Sequence, residues 1–373
     1  MNDITVKISI KLFTLLVFLC IACPGLAEPA PAPLVSSDLL SKAGLQTQWQ
    51  ITLPVKEKET VDRLFVFDKY LCVLTDKNYF FCIDRDKGSV QFGLALSVSG
   101  LPVCRPCFYE NNFYFLVGNQ LLIIDPAARA VIKKKNFDTI GSGYGCGMAK
   151  NSQYLYLAGA NNRLYAILLD DDILRFTATA DNNSPINSVL ATDDVIIFGT
   201  DRGNVVAMET DQAVKVWQYD LSGPLSAALV MDENFVYAAG QDTKCCKINA
   251  NTGLPAWPAP FYAGQPLKTA PVIGKTVVYL PAGGNGLYAL DKQAGKELWN
   301  LPRGIAALCE SKTNSYVLSA PGILSIMDNT EGKELMSLNF SRVSRWAVNM
   351  TDSRMYVADD RGAIQEIAVN SEE

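Results

Sequence analysis

Residues 285–299 read NGLYALDKQAGKELW and combine a short alternating strand, a tight turn that carries an acid and a glycine, and a second strand that ends in tryptophan. The same frame returns in residues 247–257, KINANTGLPAW, and again between Ala207 and Trp217. Alternating residues rich in Val, Ile, Tyr and Phe, separated by turn residues, are typical of strands rather than helices. The stretch is therefore one unit of a repeat that is built from strands.

Alignment on the turn residue of this frame gives eight anchor positions at intervals of 37 to 43 residues. The anchors are Asp84, Asp125, Leu168, Glu209, Asn249, Asp291, Asp328 and Ala368. Four anchors are followed four residues later by a glycine, namely Gly88, Gly253, Gly295 and Gly332. The third unit has Leu168 and three aspartates in this turn, so we expect a different turn shape there. A period near forty residues with several short strands per unit indicates a β-propeller.

The position eight residues after each anchor is usually large and apolar, and Lys133 in the second unit is the exception. The apolar examples are Phe92, Phe176, Trp217, Trp257, Trp299 and Met336. The last unit stops before such an outer strand, whereas residues 45–53 look like an outer strand with no unit before it. Pairing the two would remove two free sheet edges. The sequence thus predicts an all-β, eight-bladed propeller of four-stranded antiparallel blades in residues 45–373, with the ring closed by the N-terminal strand.

The N-terminus has the pattern of a secretory signal. Residues 1–27 carry an early positive charge, an apolar core of eleven residues from Leu12 to Ala22, and small residues before a cleavage point after Ala27. A span of the bilayer needs about 20 apolar residues. Residues 28–44 are a Pro/Ala-rich spacer. A competing interpretation makes Cys23 the lipid-carrying residue of a lipoprotein. Either way, we expect a periplasmic or other extracytoplasmic location.

Composition excludes several classes of function. None of the 373 residues is histidine, which excludes Ser-His-Asp and Cys-His nucleophile systems, His-ligated metal sites and c-type haem attachment. The formal net charge is −5 and there is no basic stretch, so a nucleic-acid partner is not expected.

The frame from Ala289 to Trp299 resembles the tryptophan-docking motif of PQQ-like eight-bladed propellers, in which the tryptophan packs between neighbouring blades. Residues 249–257 keep the Thr252-Gly253 pair of that motif, while residues 209–217 keep only its tryptophan. The resemblance spans about residues 45–370. It is specific for the fold and carries little information about function, because the motif is a packing device.

Two branches of this family differ in what they imply. The outer-membrane assembly lipoprotein BamB and its relatives are periplasmic scaffolds of similar length. This branch implies an exported, non-enzymatic scaffold for protein–protein interaction, a monomer within a complex that contacts the outer-membrane barrel-assembly machinery. Its only membrane contact would be a lipid at Cys23. The quinoprotein dehydrogenases instead hold pyrroloquinoline quinone and calcium over the centre of the ring, with long insertions that are not found here.

We therefore predict no catalytic, cofactor-binding or metal-binding residue. The alternatives are an oxidoreductase dependent on pyrroloquinoline quinone and calcium, and a propeller that binds another ligand at its centre.

Several cysteines are candidates for chemistry, although packing is expected for most. Cys245 and Cys246 are adjacent, as in a cofactor-facing vicinal disulfide, but they fall within a predicted strand whose successive side chains point to opposite faces. The CxxC pair of Cys104 and Cys107 precedes a strand rather than a helix, which favours a structural disulfide or unpaired packing over redox catalysis. Cys72 and Cys82 lie symmetrically about a predicted hairpin and could face each other. The eight mature cysteines suit an oxidising compartment, and their pairing stays open.

Three further motifs have both a functional and a simple interpretation. Residues 170–172 are three aspartates that could bind a cation, but a solvated turn is the better prediction because the loop lacks the other ligands of a calcium site. The glycine-rich residues 141–147 lack the lysine of a phosphate-binding loop. Arg342, Arg345 and Trp346 precede or begin the last inner strand, where they could bind an acidic group of a partner or form an ordinary contact between blades.

Overall fold

The computed structural model of the chain describes residues 33–137, 140 and 147–370. A short helix α1 (Ser37–Lys42) and a strand β1 (Leu45–Thr52) come first. No helix within these residues has the length and apolar character needed to cross a membrane. The rest of the domain is built from strands that form eight four-stranded antiparallel sheets together with β1.

Each blade is a meander of four consecutive strands, except the last one. Blade 1 contains β2 (Val61–Phe67), β3 (Tyr70–Thr75), β4 (Tyr79–Asp84) and β5 (Ser89–Ala95), and blade 2 contains β6 (Cys107–Tyr109), β7 (Asn112–Val117), β8 (Gln120–Asp125) and β9 (Ala130–Asn136). Blade 3 contains β10 (Met148–Lys150), β11 (Tyr154–Ala158), β12 (Leu164–Leu168) and β13 (Ile173–Ala178), and blade 4 contains β14 (Ile186–Ala191), β15 (Ile196–Thr200), β16 (Asn204–Met208) and β17 (Lys215–Asp220).

The second half of the ring repeats this order. Blade 5 contains β18 (Val230–Asp232), β19 (Phe235–Ala239), β20 (Lys244–Asn249) and β21 (Phe261–Tyr262), and blade 6 contains β22 (Val272–Ile273), β23 (Val277–Pro281), β24 (Leu287–Asp291) and β25 (Glu297–Leu301). Blade 7 contains β26 (Gly304–Ser311), β27 (Asn314–Ser319), β28 (Ile323–Asp328) and β29 (Lys333–Asn339). Blade 8 contains β30 (Arg345–Ala347), β31 (Arg354–Ala358), β32 (Ala363–Val369) and β1.

The hydrophobic core is divided among the gaps between blades. Eight clusters of buried residues each join two consecutive blades, and one of them joins blade 8 to blade 1 through Tyr356 and Ile364 on one side and Val61 and Leu71 on the other. Both faces of each blade are therefore covered. This explains why the middle strand β3 is buried at all six positions, whereas the outer strand β9 alternates between exposed and half-buried residues. The sheets form a closed ring of eight blades.

The N-terminal strand completes blade 8, as the sequence predicts. Strand β1 pairs antiparallel with β32, so that Leu45 lies opposite Val369 and Thr52 lies opposite Ala363. A buried side chain reinforces this pairing. The Gln365 amide nitrogen donates to Thr47 Oγ1 at 2.7 Å and to the Val35 carbonyl at 3.1 Å, and its amide oxygen accepts from the Val35 backbone nitrogen at 2.9 Å.

The ordered domain also includes part of the predicted spacer. Leu34, Val35 and Leu40 are buried in the cluster between blades 7 and 8, and α1 lies within residues 28–44. The apolar side chains in this segment fill the gap between the blades before the chain enters β1. Part of the predicted spacer therefore packs on the propeller, while residues 1–32, including Cys23, lie outside the described part.

Four tryptophans dock their blade onto the next one by donating from Nε1 to its turn, and Trp299 does so to the Asn329 side chain rather than to a backbone carbonyl. Trp257 in blade 5 donates from Nε1 to the carbonyl of Lys292, at 3.1 Å, in the turn of blade 6. Its ring covers Gly295, where a Cβ atom would lie 2.5 Å from a ring carbon. Trp49 and Trp217 make equivalent bonds at 2.8 Å to the backbone carbonyls that follow the anchors of blades 1 and 5. Four anchor glycines thus occur where the preceding blade carries a tryptophan.

The glycines serve this close approach more than they serve the turn. The equivalent residues Arg129 and Asp172 also have a left-handed φ, of 56° and 57°, close to the 64° of Gly88. Asp172 thus keeps the left-handed φ of the glycine, which an aspartate tolerates. The turn still differs at its anchor, because Leu168 has no carboxylate to accept the two backbone N–H groups that Asp84 accepts in blade 1. Without a tryptophan above it, the position of Asp172 has room for a side chain.

Blade 2 has Lys133 at the tryptophan position, and this lysine also contacts the turn of the next blade through a hydrogen bond. Its ammonium group donates to the carbonyl of Leu169, the residue that follows the third anchor. Asp172 occupies the usual glycine position, and its Oδ1 lies 3.7 Å from Lys133 Nζ and 2.6 Å from Lys135 Nζ. The ion pair holds the pKa of Asp172 below its ordinary value, with the hydrogen bond from Lys135 as the largest cause.

This pair predicts a compensating double substitution. We expect Lys133→Trp to destabilise the domain because the indole would meet the Asp172 side chain, and Asp172→Gly alone to remove the ion pairs. The double variant Lys133→Trp/Asp172→Gly should recover stability by at least about 1 kcal/mol relative to the sum of the single variants. Urea unfolding of the four proteins measures this coupling. Additive effects would show that the two positions do not form one docking contact.

Candidate functional site

The inner strands of several blades enclose a cavity of about 390 Å³ at the centre of the ring. This channel cavity is lined by residues 105–107, 147–150, 187–191 and 228–231, which come from the inner edges of blades 2 to 5. Its volume lies in the range of about 300–1,000 Å³ that is typical of ligand sites. The centre of the ring is thus open enough to receive part of another molecule.

The channel cavity has apolar walls and two cations. Met148, Val189 and Leu229 contribute apolar surface from three successive blades, and Arg105 and Lys150 carry positive charge. Lys150 lies with its Nζ 4.7 Å from the centre of the Tyr109 ring and donates to the carbonyl of Asn151. The Arg105 side chain is open to water, yet the surrounding walls lower its pKa by desolvation.

A second cavity, of about 300 Å³, lies where blade 8 meets blade 1. This junction cavity is lined by residues 62–65 and 344–346. The two arginines in its lining already form an ion pair or hydrogen bonds with other groups of the protein. Arg63 pairs through Nε with Asp62 at 3.1 Å and donates to the Val103 carbonyl at 3.0 Å, while Arg345 donates to the Ser344 carbonyl at 2.9 Å.

The structure separates the three residues that the sequence singled out at the last inner strand. Arg345 and Trp346 line the junction cavity, and Trp346 also packs against the apolar cluster between blades 7 and 8. Arg342 instead donates to the carbonyl of Pro33 at 2.7 Å. The contact between blades is therefore confirmed for Trp346, whereas binding of an acidic group of a partner stays a prediction.

A third cavity, of about 470 Å³, lies between blades 5 and 6 and is balanced in charge. It contains three lysines and three carboxylates, namely Lys247, Lys275, Lys292, Asp232, Glu233 and Asp291. Lys292 Nζ lies 2.8 Å from Asp232 Oδ2, and Lys247 Nζ lies 4.1 Å from the centre of the Phe235 ring. Lys247 Nζ also donates to the Lys292 carbonyl at 2.9 Å, the same carbonyl that accepts from Trp257, so this cavity borders the Trp257 docking turn.

The adjacent cysteines are strand residues with free thiols. Cys245 is buried in the cluster between blades 5 and 6, and Cys246 in the cluster between blades 4 and 5, so their side chains point to opposite faces of β20. Burial raises the pKa of both thiols. The prediction of packing is confirmed, and no vicinal disulfide faces the channel.

The other cysteine candidates are the CxxC pair and the pair in the first hairpin. Cys104 is disulfide-bonded, whereas Cys107 has a free thiol, so the CxxC pair does not form its own disulfide. Burial raises the pKa of Cys107 to about 12, which is the opposite of an activated redox thiol. Cys72 and Cys82 lie directly opposite each other on β3 and β4, as the hairpin predicts, and both thiols are free and buried.

The remaining motifs do not form a recognisable chemical site. Residues 170–172 lie in an exposed turn in which Asp172 pairs with lysines of blade 2. No group of three or more His, Cys, Asp or Glu that could hold a metal ion occurs within the described ranges. The glycine-rich residues 141–146 lie outside the described residues, while Gly147 borders the channel cavity.

The sequence analysis does not single out Arg105, which lies between Cys104 and Cys107 in the CxxC motif. A signal was nevertheless present in the repeat. The position twenty residues before the anchor is Arg105 in unit two, whereas the corresponding position in units three, four and five is Met148, Val189 and Leu229. An arginine just before the inner strand, at a position that is apolar in the next three units, marks a place where one blade differs from its neighbours.

Comparisons with known proteins agree with this architecture. A family model described as outer membrane protein assembly factor BamB matches residues 177–315. BamB from Moraxella catarrhalis has a similar structure, with a TM-score of 0.66 and 12% identity over 88% of this chain and 99% of that one. The computationally designed Ika8 protein is similar too, with a TM-score of 0.66 and 14% identity over 84% of this chain and 98% of that one. No curated protein sequence matches the chain. The chain is therefore an eight-bladed β-propeller that is similar in fold to BamB and matches the BamB family model over residues 177–315.

Proposed function

We propose that the chain is an exported, non-enzymatic scaffold that binds other proteins of the cell envelope. The observation that carries this proposal is the match to the BamB family model, which runs from the end of blade 3 into blade 7 and includes three of the four docking tryptophans, Trp217, Trp257 and Trp299. A fold-level likeness to a BamB structure over most of both chains supports it. The secretory pattern of residues 1–27 supplies the expected route to the envelope.

The finer form of the proposal concerns the partner. The family model is described as an outer membrane protein assembly factor, and by this likeness the partner would belong to the outer-membrane barrel-assembly machinery. A rigid ring suits such a role because its loops and central cavity keep a fixed arrangement while a partner docks. The docking surface would then be preorganised, which lowers the entropic cost of binding.

Affinity purification from gently solubilised envelope tests this function. The tagged chain serves as bait, and the designed Ika8 protein serves as a matched control because it shares the fold and has a computational origin. We expect mass spectrometry to show an outer-membrane barrel-assembly protein enriched with the chain and absent from the Ika8 sample. An identical list of proteins for both baits would contradict the scaffold proposal.

A titration with pyrroloquinoline quinone and calcium tests the non-enzymatic part of the proposal. Trp346 lines the junction cavity at the inner edge of blade 8, so a quinone bound at the centre of the ring would quench its fluorescence. We expect no quenching that depends on Trp346, with the Trp346→Phe variant as the control. Saturable, calcium-dependent quenching that is lost in this variant would favour the oxidoreductase instead.

A further inference from the structure

The channel cavity contains a positive charge that the described residues leave unbalanced. Arg105 makes no hydrogen bond and no ion pair with any residue in the described ranges, whereas Arg85 pairs with Asp352 and Arg354 lies 2.6 Å from Asp86. The cavity lining includes no aspartate or glutamate. This local excess of positive charge contrasts with the formal net charge of −5 for the whole chain.

Lys150, the other cation of the cavity, differs from Arg105 in this respect. Its hydrogen bond to Asn151 and its position over the Tyr109 ring already use its ammonium group, and the carboxylates of Glu110, Asp170 and Asp193 partly compensate its charge. Arg105 has no comparable compensation. A guanidinium that is surrounded by protein walls, accessible to water and unpaired gains more from an incoming anion than a surface arginine does.

The walls around Arg105 indicate what kind of anion fits. Met148, Val189 and Leu229 present apolar surface next to the guanidinium. A small inorganic ion would make no favourable contact with this apolar surface. An acidic side chain flanked by apolar residues would satisfy both parts of the site. A planar carboxylate also matches the two parallel N–H donors of a guanidinium.

We propose that Arg105 in the channel cavity anchors a carboxylate side chain of the docking partner, with apolar neighbours of that side chain packed on Met148, Val189 and Leu229. This inference rests on the proposed scaffold function and names the part of the ring that recognises the partner. Arg105 is a positioning contact for a protein ligand and takes no part in catalysis.

Two short capped peptides provide a direct test. N-acetylated, C-amidated Leu-Glu-Leu and Leu-Gln-Leu differ only in the charge of the central residue, and their binding to the purified domain can be compared by ligand-observed NMR. We expect the glutamate peptide to bind at least about tenfold more tightly, and Arg105→Gln to remove this difference. Arg202→Gln, an equal charge change outside the cavity, should have no effect. Equal affinities, or no binding of either peptide, would overturn the proposal.

Sodium phosphate distinguishes a peptide anchor from a general anion site. Phosphate at the same concentration as the glutamate peptide should not displace it, because phosphate cannot use the apolar walls. Complete displacement would overturn the assignment to a peptide carboxylate.

Cys107 offers an independent measurement in the same cavity. It is half-buried, whereas the other five free thiols in the described ranges are buried. The quantity to compare is the ratio of two alkylation rates of Cys107, that with anionic iodoacetate divided by that with neutral iodoacetamide. We expect this ratio to be at least about threefold higher in the parent protein than in Arg105→Gln. Peptide mapping identifies the modified residue. An unchanged ratio of the two rates would show that Arg105 does not attract anions into the cavity.

The envelope purification separates failure of this inference from failure of the scaffold function. If the parent chain retains an envelope partner and Arg105→Gln retains it equally well, the inference is wrong and the scaffold proposal stands. If the parent chain retains no partner, the scaffold proposal is wrong.

Discussion

A chain that lacks residues 33–53 is expected not to form the closed propeller, in contrast to a chain that starts at residue 33. The missing segment contains β1, which supplies the fourth strand of blade 8 and pairs with β32 along its whole length. Without it, β32 becomes the free outer edge of blade 8. Loss of this strand therefore removes a strand pairing that joins the two ends of the domain, from β1 to β32.

The expected cost is comparable to the entire stability of the domain. Trp49 is half-buried, packs on Tyr356 and covers Gly88, so its loss contributes part of the roughly 3–5 kcal/mol that truncation of a fully buried aromatic residue costs. Leu40 and Leu45 leave the cluster between blades 7 and 8. The buried Gln365 amide also loses its partners on Val35 and Thr47, which adds the cost of an unsatisfied polar group. Typical domains have only about 5–15 kcal/mol in total.

Urea unfolding followed by circular dichroism compares the two chains. A synthetic peptide of residues 33–53 added in trans should restore a cooperative transition to the truncated chain, because the binding edge of β32 is preserved. The same peptide with Trp49→Ala should restore less. Equal unfolding midpoints for the truncated and complete domains, without peptide, would show that β1 does not stabilise the ring.

The blade count and the docking contacts were predictable because they depend on local spacing. A turn of fixed length places the outer-strand residue eight positions after the anchor, and the next turn repeats about forty residues later. The structure adds a relation between neighbouring blades: a tryptophan in one blade requires a glycine in the turn of the next. A glycine is needed at position 253 because the Trp217 ring covers that turn, and at position 295 because the Trp257 ring does the same in the following blade. Where Lys133 replaces the tryptophan, the glycine is replaced by Asp172.

Features that depend on the closed ring were not predictable in the same way. Leu34, Val35 and Leu40 occur in a stretch whose composition indicates a spacer, and they are buried only because blades 7 and 8 form a groove beside them. Arg105 faces the channel cavity because inner strands of four blades converge there. Spacing along the chain identifies the inner strand, but the charge balance of a cavity depends on residues from several blades.

Gly295→Ala is expected to destabilise the domain by about 3 kcal/mol, although it adds a single methyl group. The new Cβ would lie 2.5 Å from Cδ2 and 2.8 Å from Cγ of Trp257, inside contact distance for carbon atoms. Forcing a group into a packed site costs about 1–3 kcal/mol. The φ of +70° adds about 1–2 kcal/mol for a residue with a Cβ atom. Relief of the clash by moving the indole would break its hydrogen bond to the Lys292 carbonyl.

Two neighbouring glycines in the same blade separate these contributions. Gly283 has a φ of +53° with nothing within 4 Å of its Cβ position, so Gly283→Ala should cost about 1 kcal/mol through the backbone alone. Gly284 has open space and no left-handed φ, so Gly284→Ala should be close to neutral. In a Trp257→Ala background, Gly295→Ala should fall to the cost of Gly283→Ala, because the ring that it meets is gone. If urea unfolding shows the same cost for Gly295→Ala with and without Trp257, the glycine serves only its turn and the docking rule between blades is incorrect.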